Sequence, residues 1–249
     1  MHWLDRYASG FHAWERSSID GKQTVKRPIG VVESAFDTDG TDYEGRADVN
    51  AFLGLEVRSV LTPEELRRRV LLVWVNLRLQ HVLLFARVDR LGPSMGCFVI
   101  EPPVDTEAAL TAAAANLDFV EDHYPDADAE DFYRHILNTA RVIDPEKCLS
   151  RLFVFPLSKS GCVKTQKFQI ILVAAHEITD GLTMYIWQQH FLRLLNTSSG
   201  ELEASIRHHQ SPERIWARLP AAQEGLYPPV SGNTARQRWF WAIIRILRH

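Results

Sequence analysis

Cysteine is scarce in this sequence, and the few cysteines present form no pattern. Cys97, Cys148 and Cys162 are widely spaced along 249 residues. An odd number at such spacing fits neither a disulfide framework nor the paired cysteines of a zinc site. We therefore expect a chain that resides in a reducing compartment, the cytoplasm, and binds no metal.

Positive charge is not in excess either. The chain has 28 Lys and Arg against 31 Asp and Glu, a formal net charge of −3, whereas a surface that binds nucleic acid or an anionic membrane needs clustered positive charge. No apolar run approaches the roughly 20 residues of a membrane span. The N-terminus lacks the basic segment and apolar stretch of a signal peptide. These absences argue against a nucleic-acid partner, a membrane protein and a secreted protein.

The composition that remains is that of an ordinary globular protein. With 46% hydrophobic and 24% charged residues, the chain suits one large domain with its own core. We expect residues 1–233 to form this domain and residues 234–249 to form a C-terminal amphipathic helix that combines Trp239 and Trp241 with arginines. Three roles stay open for that helix: packing on its own core, covering a missing second half, or binding a membrane surface.

Apolar periodicity and turn residues predict alternating strands and helices. Thr62, Pro63 and Glu65 supply an N-cap, a first-turn proline and the glutamate of a capping box, the clearest helix start in the sequence. The first 50 residues are predicted as short strands and turns, including a turn at 37–40. Other strands are predicted at 97–100, 151–157 and 164–175, other helices at 108–119, 129–137 and 206–219, and a linker at 220–233. Residues 81–88 are predicted either as a strand or as a continuing helix. The fold class is therefore α/β (α+β), with a mixed β-sheet flanked by helices.

The most informative segment is a polar hexapeptide between a buried strand and an amphipathic helix. It extends from His176 to Gly181. A histidine at a strand end has a fixed backbone, and its imidazole titrates near neutrality, so His176 could act as a general base. Asp180 could cap the following helix or form an ion pair that holds the turn. Gly181 would allow close packing or an unusual dihedral angle.

The pattern His-x-x-x-Asp-Gly after an apolar strand resembles the motif of the chloramphenicol-acetyltransferase-like superfamily. That superfamily includes condensation domains of peptide synthetases, alcohol acyltransferases and carnitine acyltransferases. The resemblance implies that His176 is catalytic and that Asp180 is structural and paired with an arginine. It also implies that an acyl thioester and a nucleophile meet at His176 from opposite ends of a channel. Many members carry a second histidine where this chain has Ala175.

A looser resemblance extends along the chain, to fungal acyltransferase-like proteins of the trichothecene acetyltransferase type. It rests on Arg27-Pro28-Ile29-Gly30, Glu33, Phe36-Asp37, the helix at 64–79 with the residues after it, and Arg238-Trp239. By analogy, Arg27 is expected to pair with Asp180, and Arg46 is the second candidate. A role in fungal secondary metabolism is implied by the same resemblance.

The resemblance covers only the N-terminal half of such proteins. Eukaryotic members usually join two such folds in one chain, and their second half carries an Asp-Phe-Gly-Trp-Gly loop that this sequence lacks. A second half or a homo-oligomer partner is therefore expected to complete the channel.

We accordingly expect acyl transfer to a hydroxyl or amine of a small-molecule acceptor. The co-substrate would be an acyl-CoA or acyl-carrier thioester, with no permanently bound cofactor. The alternative is a non-transferring half-fold that binds a metabolite or a partner chain, or assists a cyclisation, with His176 retained structurally. His208 and His209 lack the ligand spacing of a metal site, and His190 is expected to be a packing or interface residue.

Overall fold

The computed structural model describes residues 11–19, 21–58, 61–90, 96–138, 141–156, 165–223 and 233–247. Within them, the strands are β1 (Glu15–Ile19), β2 (Lys22–Pro28), β3 (Val49–Arg58), β4 (Arg87–Arg90), β5 (Gly96–Ile100), β6 (Leu117–Phe119), β7 (Ser150–Pro156) and β8 (Thr165–Ala174). The helices are α1 (Val31–Asp42), α2 (Pro63–Gln80), α3 (Thr106–Ala114), α4 (Ala129–Asn138), α5 (Gly181–Leu195), α6 (Ser199–His209), α7 (Pro212–Trp216) and α8 (Thr234–Leu247). Short 3₁₀ segments occupy Val82–Phe85 and Val120–Asp122.

The strands form two four-stranded sheets. The first has the order β1-β2-β5-β4, and all of its pairs are antiparallel. The second has the order β3-β8-β7-β6, in which β6 is parallel to β7 and the other pairs are antiparallel. The predicted mixed α/β architecture is confirmed, with helices flanking both sheets.

Strand β8 is one of the two inner strands of the second sheet, as its apolar sequence predicts. Ile171 pairs with Phe52 of β3 on one side and with Phe153 of β7 on the other. Residues 170–174 are all buried, because helices and loops cover both faces of this part of the sheet. The fixed end of β8 therefore positions the residues that follow it.

Helix α2 begins where the sequence predicts. The Thr62 side chain accepts a hydrogen bond from the Glu65 amide at 3.2 Å, and the Glu65 carboxylate accepts one from the Thr62 amide at 2.8 Å. The helix is buried along most of its length, with Val73, Trp74 and Leu77 fully inaccessible. It is the element around which α3, α5 and α6 pack.

The two sheets are joined by backbone segments that share hydrogen bonds. The Leu84 carbonyl accepts the hydroxyl of Ser150 at 2.6 Å and the Nε of Arg78 at 3.3 Å. The Leu149 amide donates to the Ala86 carbonyl at 3.2 Å, and the Ala175 amide donates to the Leu149 carbonyl at 2.9 Å. Ala175, at the start of the turn that contains His176, is thus connected through Leu149 to Ala86, the residue that precedes β4 of the first sheet.

Several of the predicted boundaries are wrong. Residues 31–42 form α1 rather than strands and turns, because Glu33 caps the helix by accepting the Gly30 amide at 2.6 Å. The helix predicted at 108–119 ends at Ala114, and Leu117–Phe119 becomes β6 because it pairs with β7. Residues 81–88 are neither a full strand nor a continuing helix, since a 3₁₀ turn separates α2 from β4. Residues 206–219 divide between α6 and α7.

The C-terminal helix α8 forms as predicted. Trp239, Ile243 and Ile246 on it are at least half exposed. In the described part of the chain, no helix combines the length and apolar character needed to cross a bilayer. Most of the linker predicted at 220–233 lies outside the described residues, as does Cys162.

Candidate active site

His176 follows directly on the buried end of β8, in the predicted order of strand, turn and helix. The turn is closed by the amide of Ile178, which donates to the Ala175 carbonyl at 3.1 Å, and by the amide of Thr179, which contacts the His176 carbonyl at 3.4 Å. The backbone of His176 is therefore fixed on both sides, by the sheet before it and by the turn after it.

The imidazole of His176 lies against α1. Its ring stacks on Phe36 with a centroid distance of 3.9 Å and an interplanar angle of 2°. The side chain is half-buried, and its Nδ1 is buried with no hydrogen-bond partner among the described residues. Phe36 thus sets the plane of the ring, while no acceptor in the described part of the chain fixes its tautomer.

Asp180 is the N-cap of α5, one of the two roles considered for it. Its carboxylate accepts the Thr183 amide at 2.7 Å, and this hydrogen bond lowers the pKa of Asp180. Gly181 begins the helix in an ordinary conformation, with open space where a Cβ would be. The expectation of close packing or an unusual dihedral angle at Gly181 is therefore wrong.

Arg27 does not pair with Asp180, contrary to the prediction. Its guanidinium is fully buried and binds the Glu33 carboxylate of α1 at 2.5 and 2.7 Å. Glu33 takes this arginine because the capping geometry of α1 places its carboxylate beside the end of β2. The second candidate, Arg46, lies exposed in the turn after α1.

The residue after His176 is a buried glutamate, Glu177. The motif does not specify this position, so the sequence predicts no role for it. Glu177 is only 4% exposed, and neither of its carboxylate oxygens has a hydrogen-bond partner among the described residues. Burial raises the pKa of Glu177 well above its usual value, and the charges of Asp37 and Asp48 raise it further.

Two arginine–carboxylate pairs form a charged cluster around Glu177. Arg90 binds both oxygens of Asp37 at 2.8 Å, and Arg141 binds both oxygens of Asp48 at 2.9 and 3.0 Å. Each of these two carboxylates is thus balanced by one guanidinium. Burial raises the pKa of Asp48, and the hydrogen bond from Arg141 opposes this shift.

The other histidines form separate contacts. His190 hydrogen-bonds His81 across the α2–α5 interface, with 2.9 Å between ring nitrogens, which agrees with a packing role. His209 hydrogen-bonds Arg218 at 2.7 Å and lies edge-on to His208. None of these groups contacts His176 in the described residues.

The molecule has an α/β fold with a mixed sheet, and a histidine stands on a strand-turn-helix connection at the end of β8. Neither the family models nor the curated proteins include one that matches this sequence.

Among the solved structures that this chain resembles is the trichothecene 15-O-acetyltransferase from Fusarium sporotrichioides, with a TM-score of 0.57 and 17% identity over 76% of this chain. The two chains share a fold. The match covers 38% of that protein, so this chain corresponds to well under half of its length. A chloramphenicol acetyltransferase (TM-score 0.29, 11% identity, 75% of this chain and 98% of that chain) is more distant. So is a probable dihydrolipoamide acetyltransferase from Listeria monocytogenes 4b F2365 (TM-score 0.25, 11% identity, 74% of this chain and 94% of that chain). At 17% identity, the likeness to the trichothecene 15-O-acetyltransferase shows a shared fold.

Proposed function

We propose that this chain is an acyltransferase in which His176 is the general base. The observation that carries the proposal is the placement of His176: its backbone is fixed at the end of β8, and its ring is held against Phe36. The sharing of the acetyltransferase fold supports it. Because the backbone and ring of His176 are already fixed, little conformational entropy is lost when this base meets the reacting atoms.

In the proposed reaction, an imidazole nitrogen of His176 takes the proton of an acceptor hydroxyl or amine. The acceptor oxygen or nitrogen attacks the thioester carbonyl and forms a tetrahedral oxyanion. Collapse of this intermediate breaks the carbon–sulfur bond, and the leaving thiolate takes the proton from the imidazolium. The products are an ester or amide and a free thiol, and His176 returns to its neutral form.

The donor in this proposal is an acyl-CoA or acyl-carrier thioester, with no permanently bound cofactor, and the acceptor is a small molecule. Because the chain matches 38% of the length of the solved acetyltransferase, we propose that a second such half or another copy of the chain completes the channel. The exposed apolar side chains of α8 supply a surface that such a partner could cover. We also propose that this reaction belongs to fungal secondary metabolism.

The test is thiol release from acetyl-CoA by the full chain, measured with and without a panel of alcohol and amine acceptors. We expect acceptor-dependent release, and we expect His176→Ala to reduce it by about 10²–10⁴-fold, the usual contribution of a general base. The matched control is His123→Ala, at an exposed histidine. Light scattering on the same samples gives the number of chains in the active species.

The outcome decides between two readings. Loss of turnover in H176A with an unchanged melting temperature supports the catalytic role. Equal thiol release by H176A and the unsubstituted chain would contradict it, whatever the acceptor.

One observation favours the second candidate function, a non-transferring half-fold that binds a metabolite or a partner chain, or assists a cyclisation. The Nδ1 of His176 lacks a hydrogen-bond acceptor in the described residues, whereas a histidine base usually has its second nitrogen oriented by one. For that candidate, we expect a large drop in melting temperature in H176A and no acceptor-dependent thiol release by the unsubstituted chain.

A further inference from the structure

A cavity of about 710 Å³ lies between the C-terminal half of α2, helix α3 and the end of β5. Its size is within the range of small-molecule sites. None of its lining residues comes from α1, β8 or the turn at 176–181. The cavity is therefore separate from the site built around His176.

One wall of this cavity is apolar. It consists of small side chains from one face of α3 together with aliphatic and aromatic groups from α2 and the segment after it; they include Ala108, Ala109, Ala112, Val75, Leu79 and Phe85. Small residues on the helix leave the space open, because alanine is the shortest apolar side chain that a helix favours. An aliphatic group of a ligand would be desolvated against this wall.

A buried cation faces the same cavity. Arg78 is 5% exposed and lines the cavity wall, and its Nη1 donates to the Ala112 carbonyl at 2.7 Å. Its guanidinium also lies over Trp74 and Phe85, 5.6 and 6.0 Å from the ring centroids. Within the described residues, no carboxylate lies within salt-bridge distance of Arg78. The fully buried Arg27, in contrast, binds the carboxylate of Glu33.

The charge of Arg78 is retained despite its burial. Desolvation lowers its pKa to about 10, and the guanidinium stays protonated at neutral pH. A buried cation without a counter-ion is costly unless an anion compensates it. The carbonyl groups of Leu84 and Ala112 offset part of that cost.

Most of the other charged residues that line the cavity are cations. Lys22, Arg87 and Lys147 also line the cavity, against a single carboxylate, Glu101. Arg87 is paired with Asp89 at 2.7 Å and contacts Glu101 at 3.4 Å, and Lys147 is paired with Asp144 at 2.8 Å. Arg78, in contrast, is a buried lining cation that has no carboxylate within salt-bridge distance among the described residues, so the apolar cavity offers a cation to an anionic ligand.

We propose that this cavity binds an aliphatic monocarboxylate, with its carboxylate on Arg78 and its chain along α3. The Nε and Nη1 of Arg78 donate to the Leu84 and Ala112 carbonyls, and its Nη2 has N–H groups to donate to a carboxylate in a charge-assisted hydrogen bond. The alanine face accommodates the chain. This site goes beyond the acyl transfer proposed for His176, and it would exist whether or not that reaction takes place.

The test is calorimetric titration of the full chain with decanoate below its micelle concentration. Decanol carries the same chain without charge, and acetate carries the charge without the chain. We expect decanoate to bind at least about tenfold more tightly than either, a difference of about 1.4 kcal/mol. Binding of decanol as tight as that of decanoate would overturn the role of the guanidinium. Absence of decanoate binding up to millimolar concentration would overturn the site.

Variants locate the bound molecule. Arg78→Met is expected to weaken decanoate binding about tenfold or more, and Arg78→Lys to retain more of it because the charge is kept. Because a change at Arg78 can also disturb folding, Ala108→Phe fills the cavity from α3 instead, and Thr111→Phe places the same bulk on an exposed position of that helix outside the lining. We expect loss of binding in A108F and normal binding in T111F.

His176→Ala separates this proposal from the acyltransferase proposal. We expect H176A to bind decanoate as the unsubstituted chain does, even if its turnover is lost. Loss of decanoate binding in H176A, or its retention in A108F, would show that the molecule binds elsewhere and would refute the site.

Discussion

The hydrogen-bonded pair of His81 and His190 should make the α2–α5 interface sensitive to acid. His81 follows the last residue of α2, and its ring packs 5.9 Å from that of Trp187. Burial and the neighbouring His190 lower the pKa of His81 from 6.5 to about 4. Between about pH 4 and pH 6.5, the imidazole of His81 is therefore neutral in the folded chain but protonated in the unfolded chain.

The magnitude follows from the two pKa values of His81. Because the folded value lies below the unfolded one, this contribution to stability is complete above about pH 6.5 and declines as pH falls towards about 4. A fully buried group with these values would lose about 2 kcal/mol between neutral pH and about pH 5. His81 is only partly buried, so solvent screening reduces the expected loss to about 1 kcal/mol.

The assay is urea denaturation followed by far-UV circular dichroism at neutral pH and at about pH 5. The His81→Phe variant keeps an aromatic ring beside Trp187 and cannot be protonated, so its stability should fall with acid by about 1 kcal/mol less than that of the unsubstituted chain. His123→Gln, at an exposed position, serves as the control and should follow the unsubstituted chain. Equal acid sensitivity of H81F and the unsubstituted chain would refute the reasoning.

Two further predictions concern the cluster around Glu177. The raised pKa of Glu177 means that its contribution to stability declines as pH rises above its usual value of 4.5, so the stability of Glu177→Gln relative to the unsubstituted chain should increase with pH. A less stable E177Q at high pH would show that the carboxylate is favourably paired. Gly45 has a φ of +81°, and a Cβ there would lie 2.8 Å from the Cβ of Arg141, so Gly45→Ala should cost about 1–3 kcal/mol in urea denaturation. The control is Gly21→Ala, at a φ of +78° with open space around it, which should reduce the free energy of unfolding by less. Equal losses in the two variants would show that the contact with Arg141 does not contribute.

The sequence predicts best where local chemistry and tertiary structure agree. The capping residues Thr62 and Glu65 make contacts within one turn of helix, and α2 begins at the predicted residue. The apolar run of β8 predicts a buried inner strand, and its pairing with both β3 and β7 confirms this. The strand-turn-helix context of His176 follows from these two kinds of signal.

Prediction fails where a partner distant in sequence decides the structure. Asp37 and Gly40 indicate a turn, yet they lie inside α1, where Arg90 binds the Asp37 carboxylate. The pair formed by Asp48 and Arg141 joins residues 93 positions apart, and no local pattern indicates it. Once α1 is missed, the assignment of Arg27 to Asp180 fails too, because the carboxylate that binds Arg27 lies on that helix.

The carbonyl of Leu84, which accepts two hydrogen bonds, couples the two sheets during partial unfolding. The hydroxyl of Ser150 and the guanidinium of Arg78 bond to it, and the adjoining bonds of Ala86 and Leu149 lead on to Ala175. Separation of one sheet from the other would break this series and leave buried polar groups without partners. In native-state hydrogen exchange, the amides of Leu149 and Ala175 should therefore exchange only when both sheets open together, as one cooperative unit.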